Sequence, residues 1–322
     1  MINQLINNHG GLHNRVTQRI HLEPFTLSEC EAFFKNRGGV LDRYQLNQLY
    51  MVMGGIPFYL EHVDMGLSAA QNIDKMCFSL NGVLRTEFDN LYASLFKKAD
   101  KYIAVIEELA KKGKGMSRIE LIAKAKLPNG GGATKILQEL EESNFIRKYK
   151  SFDKKERNNI YQLMDFYSLF YLKFIKESSL LDTDIWINSL DSPEFRAWSG
   201  YAFEQVCLAH IRNIKKALGI SGVQTNTSAW LGKSGQQQAQ IDLVIDRRDH
   251  VINLCEMKFS LNTFTIDKKY CDELRQKIGV FREQTGTKKA LFLTMITSFG
   301  LTQNAYAASI VQNALTMDVL FD

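Results

Sequence analysis

Apolar residues recur at helical spacing through the first third of the chain. One stretch follows the i, i+3, i+4, i+7 pattern of an amphipathic helix: Leu46, Leu49, Tyr50 and Met53. Gly54 and Gly55 follow directly and are expected to end this helix, and Pro57 suits the first turn of the next one. Residues 28–96 are therefore predicted to form an all-helical unit.

A short alternating stretch precedes this unit. Residues 16–22 have a β-like pattern. Thr26 and Ser28 are both N-cap candidates for the helix that follows, and Glu29 and Glu31 suit its positive end. The stretch would be either the last strand of a sheet whose other strands are missing, or an ordinary N-terminal strand that pairs later in the chain.

Residues 97–165 have a different order of elements. Three helical patterns, the second with Ser117 as its N-cap and Glu120 completing a capping box, are followed by two β-like runs around the charged turn 153–159. Three helices and a two-stranded wing are the order of a winged helix-turn-helix. Residues 166–191 are expected to form an aromatic-rich connecting helix.

The pattern changes again at residue 192. It predicts a long helix over 194–218, a polar loop over 225–238, a β pair, a helix over 267–284, a strand over 288–296 and a last helix over 302–314. This succession predicts an α/β domain, because helices that alternate with strands pack on the faces of a sheet.

The composition of the chain is compatible with several classes of protein. The chain has 322 residues, is 45% hydrophobic and carries a net charge of +5, which permits a nucleic-acid partner without requiring one. Its five cysteines show no CxxC pair and are predicted to be free thiols in a reducing compartment. No apolar run approaches the roughly 20 residues of a membrane-spanning helix, so a cytoplasmic protein without a membrane partner is expected.

Three charged residues interrupt the apolar pattern of residues 240–260. Because side chains alternate along a strand, Glu256 and Lys258 would share one face, and a hairpin centred near Asp249 would place Asp242 opposite Glu256. Facing carboxylates raise each other's pKa unless a cation such as Mg²⁺ or Mn²⁺ lies between them. Lys258 would then orient the attacking water or stabilise the transition state. The alternative is a structural ion pair of Lys258 with Asp242 or Glu256.

The predicted long helix carries one carboxylate within an apolar stripe. Glu204 shares its helix face with Tyr201, Leu208 and Ile211. It is either a fourth member of the charged group or a glutamate at the edge of the stripe that reaches solvent.

Glu204, Asp242 and the "EMK" of residues 256–258 resemble the PD-(D/E)XK fold, which is also called restriction-endonuclease-like. The resemblance implies that Glu204, Asp242 and Glu256 bind Mg²⁺, with the carbonyl of Met257 as a further ligand. It also implies that Lys258 assists the attack of water on a phosphodiester. Ile241 stands where proline is usual.

The likeness extends along the chain. "GGLHNRVTQRIHLEPFTLSE", "GGIPFYL" and "GYAFEQVC" resemble a family of archaeal and bacterial AAA-like ATPases. That family has a P-loop core, a helical lid, a winged helix and a C-terminal nuclease-like domain. The resemblance implies an α/β multidomain protein: residues 1–96 would be a remnant of the ATPase core and lid, 97–165 the winged helix, 166–191 the connecting helix and 192–322 the nuclease-like domain. In "TSAWLGKSG", Thr227 replaces the first glycine of a P-loop, so ATP binding is not expected from this chain alone.

The predicted wing is basic, and its positive residues are Arg147, Lys148, Lys150, Lys154, Lys155 and Arg157. They would contact a nucleic-acid backbone without reading its sequence. The third helix instead carries Glu139, Glu141 and Glu142, which would repel phosphate, and such modules also dock proteins. The sequence thus predicts a Mg²⁺-dependent nuclease-like protein or, alternatively, a non-catalytic regulatory module that docks DNA or a protein, such as a separate ATPase chain.

Overall fold

The computed structural model describes residues 17–18, 20–149, 152, 159–179, 185–234 and 237–322. These residues form a mixed α/β structure with two sheets, as predicted. Its α-helices are α1 (Leu27–Asn36), α2 (Arg43–Met53), α3 (Pro57–Glu61), α4 (Ala69–Ile73), α5 (Glu87–Leu95), α6 (Ala99–Ala110), α7 (Arg118–Lys124), α8 (Gly131–Glu142), α9 (Phe166–Phe170), α10 (Ile185–Ser189), α11 (Pro193–Ala209), α12 (Ile211–Ala217), α13 (Lys268–Thr285) and α14 (Ala305–Ile310). Two π-helical turns, Asp74–Phe78 and Tyr171–Ile175, and a 3₁₀ helix, Met317–Phe321, complete the helical structure of the described residues.

The strands fall into two groups. A three-stranded sheet contains β1 (Met116–Ser117), β2 (Ile146–Tyr149) and β3 (Ile160–Leu163), in the order β1-β3-β2. A five-stranded sheet has the order β4-β5-β6-β7-β8 and contains β4 (Thr225–Ser234), β5 (Gln237–Arg247), β6 (Val251–Lys258), β7 (Ala290–Thr297) and β8 (Val311–Thr316). Pairing is antiparallel from β4 to β6 and parallel from β6 to β8.

The helical unit predicted for residues 28–96 is confirmed in its main features. The predicted apolar face of α2 is buried: Leu46, Leu49, Tyr50 and Met53. Gly54 ends the helix with φ at 63°, a left-handed value that glycine adopts without strain, and Pro57 is the first residue of α3. Thr26 caps α1, and its hydroxyl and backbone N–H both bond to Glu29 in a capping box.

The strand predicted for residues 16–22 is a wrong prediction. Among residues 17, 18 and 20–22, which the structure describes, none belongs to a strand. Ile20 and Leu22 are 76% and 86% exposed, so the apolar side chains that suggested a half-buried strand have no core to face. Local alternation alone does not form a strand when neither a partner strand nor a packing surface is present.

The elements around the three-stranded sheet follow the predicted order, with the short strand β1 in addition. Ser117 caps α7 by accepting from the backbone N–H of Glu120, as expected. The predicted capping box is incomplete, because the Glu120 carboxylate instead pairs with Lys112 and Lys124. The predicted turn 153–159 lies outside the described residues except for its last residue.

Three predictions for the C-terminal half are corrected. The polar loop predicted for 225–238 is β4 and the beginning of β5, because the two strands satisfy each other's backbone groups along an edge of the sheet. The last helix, predicted for 302–314, stops at Ile310, where Val311–Thr316 continues as strand β8 beside β7. The long helix predicted for 194–218 is interrupted at His210, which separates α11 from α12.

His210 anchors the beginning of α1 to the end of α11. Its ring Nε2 accepts from the backbone N–H of Leu27 at 2.9 Å, so Nδ1 carries the proton and donates to the carbonyl of Val206 at 2.8 Å. Burial lowers the pKa of this histidine, which keeps the acceptor nitrogen neutral. The helical unit and the C-terminal half are therefore held together by a buried hydrogen bond.

The hairpin of β5 and β6 has the predicted register. Leu243 pairs with Cys255 and Asp246 with Ile252, so the pairing is centred on Asp249. The pairing ends at Leu243 and Cys255, and Asp242 and Glu256 are the next residues beyond this last pair. Within the described residues, no helix is both long and apolar enough to cross a membrane.

Candidate functional site

The four residues singled out in the sequence lie on three neighbouring elements. Asp242 belongs to β5, Glu256 and Lys258 belong to the end of β6, and Glu204 belongs to α11, which packs on β6. The other three act on the charge of Glu204. Burial, together with Asp242 and Glu256 and opposed by Lys258 and Lys277, raises the pKa of Glu204 to about 8. The structure therefore brings the four side chains together.

Glu204 and Asp242 are carboxylates without a basic partner. Within the described part of the chain, Glu204 makes no hydrogen bond or ion pair, although it is only partly exposed. Asp242 accepts a short hydrogen bond from the side-chain amide of Gln240, two residues earlier on the same strand. A carboxylate that is half-buried and lacks a cation is costly, which makes this pair a candidate binding element for a cation.

Glu256 is the most buried of the three acids, with 6% of its surface exposed. One carboxylate oxygen accepts from the ammonium group of Lys277 at 2.7 Å, and the other accepts from the hydroxyl of Tyr270 at 3.3 Å. Both partners come from α13. The sequence analysis missed them, although Tyr270, Leu274 and Lys277 follow the i, i+4, i+7 spacing of one helix face.

Lys258 does not form the ion pair that was the alternative interpretation. Its ammonium group makes no hydrogen bond or salt bridge to Asp242, to Glu256 or to any other residue that the structure describes. It lies 5.2 Å from the centroid of the Tyr270 ring, an attractive cation–π contact. Lys277 occupies the role of counter-ion to Glu256, so Lys258 remains available for another partner.

A cleft of about 1240 Å³ opens beside these residues. Glu204, Asp242 and Lys277 line it from the side of the five-stranded sheet. Residues of the three-stranded sheet line the opposite side, among them Arg147 and Gln162. The cleft is thus shared by the two sheet units, and a bound molecule would touch both.

The predicted wing is not a free surface hairpin at the residues that are described. Arg147 lines the cleft and donates to the side-chain oxygens of Gln162 and Gln205, while Lys148 is exposed. Near the turn, the backbone N–H of Phe152 donates to the carbonyl of Ala229 in β4 at 2.9 Å. The remaining predicted nucleic-acid contacts lie outside the described residues: Lys150, Lys154, Lys155 and Arg157.

The third helix of this unit carries acids that are already paired. Glu139 contacts Lys135 and accepts from the hydroxyl of Tyr102, and Glu142 accepts from the side chain of Gln138. These contacts use the polar groups that a nucleic-acid-reading helix would turn towards base edges. The repulsion of phosphate by α8 stays a prediction.

A divalent cation at this site would need oxygen ligands from the residues described above. Glu204 and Asp242 supply unpaired carboxylates, whose chemistry suits Mg²⁺. Glu256 is engaged by Lys277, and the buried side chain of Met257 packs in the hydrophobic core. Among the described residues, no group of three or more histidine, cysteine, aspartate or glutamate side chains is already arranged to hold a metal ion. The donors fit the cation chemically, and Lys277 competes with it for Glu256.

Comparisons with protein-family models, curated proteins and solved structures found no match for this chain. The interpretation of the site accordingly depends on its own geometry and charges.

Proposed function

We propose that this protein is a divalent-metal-dependent nuclease-like protein that acts on nucleic-acid phosphodiesters. One observation carries the proposal: Glu204, Asp242 and Glu256 converge with the unpaired Lys258 at the end of the β5–β6 hairpin, beside a cleft. Residues 192–322 would be a PD-(D/E)XK-like domain and residues 97–165 a winged helix. Residues 1–96 would be the lid and core remnant of the AAA-like ATPase family that the sequence resembles.

The carboxylates have distinct tasks in this proposal. Asp242 and Glu204, which line the cleft, would hold a cation together with Glu256, and the backbone carbonyl of Met257 would add a further oxygen. Mg²⁺ or Mn²⁺, when bound, lowers the pKa of coordinated water and neutralises charge on the phosphate. Glu204 must lose its proton to act as a ligand, and its raised pKa shows that this costs free energy until positive charge arrives.

Lys258 and Lys277 have different roles in this proposal. Lys258, which has no salt bridge within the described structure, is free to orient the attacking water or to stabilise negative charge as it develops on the phosphate. Lys277 neutralises Glu256 until a cation displaces it. Because it lines the cleft, a displaced Lys277 would face the substrate.

ATP has no role in the chemistry of this chain under the proposal. "TSAWLGKSG" lacks the first P-loop glycine, and residues 225–234 form an edge strand rather than the phosphate-binding turn before a helix.

A second candidate function is supported by a specific observation. The Glu256–Lys277 ion pair satisfies the buried carboxylate without a metal. A non-catalytic regulatory module, which docks DNA or a protein partner through the winged-helix unit, would need no more than this. The two proposals differ in whether cleavage depends on Lys258.

The decisive experiment is a cleavage assay on single- and double-stranded DNA and RNA with Mg²⁺ or Mn²⁺, in which Asp242→Asn and Lys258→Ala are compared with the wild type. We expect each variant to lose about 100-fold or more of the activity, as is typical when one charge-stabilising group is removed. Each variant should unfold at nearly the same temperature as the wild type.

Matched controls remove similar charges away from the cleft. Asp249→Asn changes an exposed aspartate in the hairpin turn, and Lys269→Ala changes an exposed lysine at the beginning of α13. Both should retain activity. Absence of cleavage from the wild type with both metals would favour the regulatory module, and cleavage that persists in Asp242→Asn and Lys258→Ala would contradict this site as the catalytic one.

A further inference from the structure

Arg147 is a cation that the sequence analysis placed on the wing and the structure places in the cleft. It donates through Nε and one terminal nitrogen to Gln162, and through the same terminal nitrogen to Gln205. These acceptors are neutral amide oxygens, and no carboxylate forms a salt bridge with Arg147 in the described structure. A guanidinium group inside a protein normally has an anionic partner, because desolvation of an unpaired charge is expensive.

Gln205 contributes a second donor beside Arg147. Its residue surface is 3% exposed, and its side-chain oxygen is used by Arg147. The side-chain nitrogen is buried and has no hydrogen-bond partner among the described residues. Since buried donors are nearly always satisfied, an acceptor is expected at this wall of the cleft.

The second terminal nitrogen of Arg147 is also unused within the described structure. The guanidinium and the Gln205 amide thus present N–H donors, and Glu204 acts on the guanidinium through its charge without a hydrogen bond to it in the described structure. This is the chemistry of an oxyanion site, and arginine is suited to phosphate because its planar fork bonds two oxygens together.

The charge of the cleft favours a polyanion. Its lining contains six basic residues: Lys111, Lys114, Arg147, Lys173, Lys176 and Lys277. It contains four acids: Glu107, Glu177, Glu204 and Asp242. The six basic groups of the lining thus outnumber its four acids by two, and two of them, Lys111 and Lys277, pair with Glu108 and Glu256 outside the lining.

We propose that Arg147 and Gln205 form a phosphate-binding subsite, which holds a nucleic-acid strand in the cleft between the two sheets. The strand would thread between β2 and α11 and present a neighbouring phosphodiester to Asp242 and Glu204. In the proposed nuclease this subsite would contact the substrate strand. Its biological purpose therefore rests on the proposed function. Strand binding itself does not require cleavage.

The experiment measures binding of a fluorescent single-stranded oligonucleotide by anisotropy in EDTA, at several salt concentrations. Arg147→Gln should weaken binding about tenfold near 0.1 M salt and reduce the slope of log affinity against log salt by about one, because one phosphate contact and its released counterion are lost. Arg147→Lys should weaken binding less, since lysine keeps the charge and loses the bidentate geometry.

The matched control is Arg118→Gln. Arg118 is an exposed arginine of the same unit, bonded to Asn129 and Thr134 on the side of α7 and α8. Its replacement should leave affinity and salt slope nearly unchanged. Inorganic phosphate at millimolar concentration should compete weakly, whereas a second oligonucleotide should compete fully, if the subsite recognises a strand rather than a free anion.

The outcomes separate this subsite from the proposed catalysis. Equal affinity and slope for the wild type and Arg147→Gln, or no binding by the wild type, would overturn the subsite whatever the cleavage assay shows. Weakened binding in a protein that never cleaves would support the subsite and contradict the nuclease. If Arg147→Gln does not fold, the Arg147→Lys comparison decides, and unchanged affinity there overturns the subsite as well.

Discussion

The charges of the unit around the three-stranded sheet differ from those at the end of the β5–β6 hairpin. In the first region, acids have nearby local partners: Glu120 pairs with Lys112 and Lys124, and Glu139 contacts Lys135. In the second region, Glu204 and Lys258 lie close enough to affect each other's environment, yet neither has an ion pair within the described residues.

The difference has a physical meaning. Exposed local pairs contribute little to stability and cost little, so their arrangement tolerates change. Partly buried charges without partners are costly, and a fold retains them where a ligand or a reaction uses them. The comparison therefore distinguishes exposed charges with local partners from partly buried charges that belong to a site. Three substitutions, each with a control, test this distinction.

The largest effect on stability is expected at Lys277. Lys277→Met removes the partner of buried Glu256 and leaves a carboxylate with only the Tyr270 hydroxyl as a donor. We expect the free energy of unfolding to fall by about 2 kcal/mol, less than for a fully buried pair because Lys277 is 29% exposed. Chemical denaturation at neutral pH measures this change.

The same variant also tests whether Mg²⁺ can bind to Glu256. With Lys277 gone, Glu256 is free for the cation, so Mg²⁺ should raise the unfolding temperature of Lys277→Met more than that of the wild type. Lys112→Met, which removes a surface partner of Glu120, should change stability by no more than about 0.5 kcal/mol and show no Mg²⁺ response. Equal losses in the two variants would erase the distinction between the regions.

A smaller, pH-dependent effect is expected at Glu204. Its pKa is raised from 4.5 to about 8 in the folded protein, so the folded state binds this proton more tightly than the unfolded state does. Its contribution is therefore most favourable below pH 4.5 and is lost as the pH rises towards 8. Glu204→Gln should be more stable than the wild type at pH 9, on the order of 1 to 2 kcal/mol, with little difference at pH 5.

The pH dependence of stability expected at Glu120 has the opposite sign to that expected at Glu204. Lys112 lowers the pKa of Glu120, so Glu120 stabilises the fold above its unfolded pKa and loses this contribution as the pH falls. Glu120→Gln should be slightly destabilising at neutral pH and indifferent in acid. Unfolding curves of both variants at pH 5, 7 and 9 check the pair, and a Glu204→Gln curve parallel to that of the wild type would contradict the raised pKa.

The smallest effect is expected where the two regions meet. The Phe152 ring lies 5.1 Å from the Phe281 ring of α13, and its backbone bonds to Ala229. Phe152→Ala should lower the free energy of unfolding by about 1 kcal/mol, because an aromatic contact between the units is lost. Leu80→Ala, at a side chain that is 74% exposed, serves as the neutral control in the same thermal unfolding measurement.

Local signals in the sequence were reliable where the structure depends on near neighbours. The apolar face of α2, the caps Thr26 and Ser117, and the hairpin centred on Asp249 were all predictable. They follow from helical periodicity, side-chain bonds to nearby backbone N–H groups, and alternation along paired strands. Asp242 and Glu256 could be placed side by side for the same reason.

The same reasoning failed where a segment forms a strand by pairing with residues distant in sequence. Residues 225–238 are rich in polar side chains and suggested a loop, but β4 and β5 pair over this segment and satisfy their backbone groups. Residues 311–314 were predicted as the end of a helix, but they pair with β7 as part of β8. Backbone hydrogen bonds between segments far apart in sequence leave little local trace.

The sequence by itself determined which side chains could perform chemistry: three carboxylates and a lysine on a helix and a hairpin. Only the tertiary structure decided their partners. It set Lys277 against Glu256, left Lys258 without a salt bridge within the described residues, and turned Arg147 from the predicted wing into the cleft. Partners of this kind are separated by many residues along the chain, and packing alone brings their charges within reach of one another.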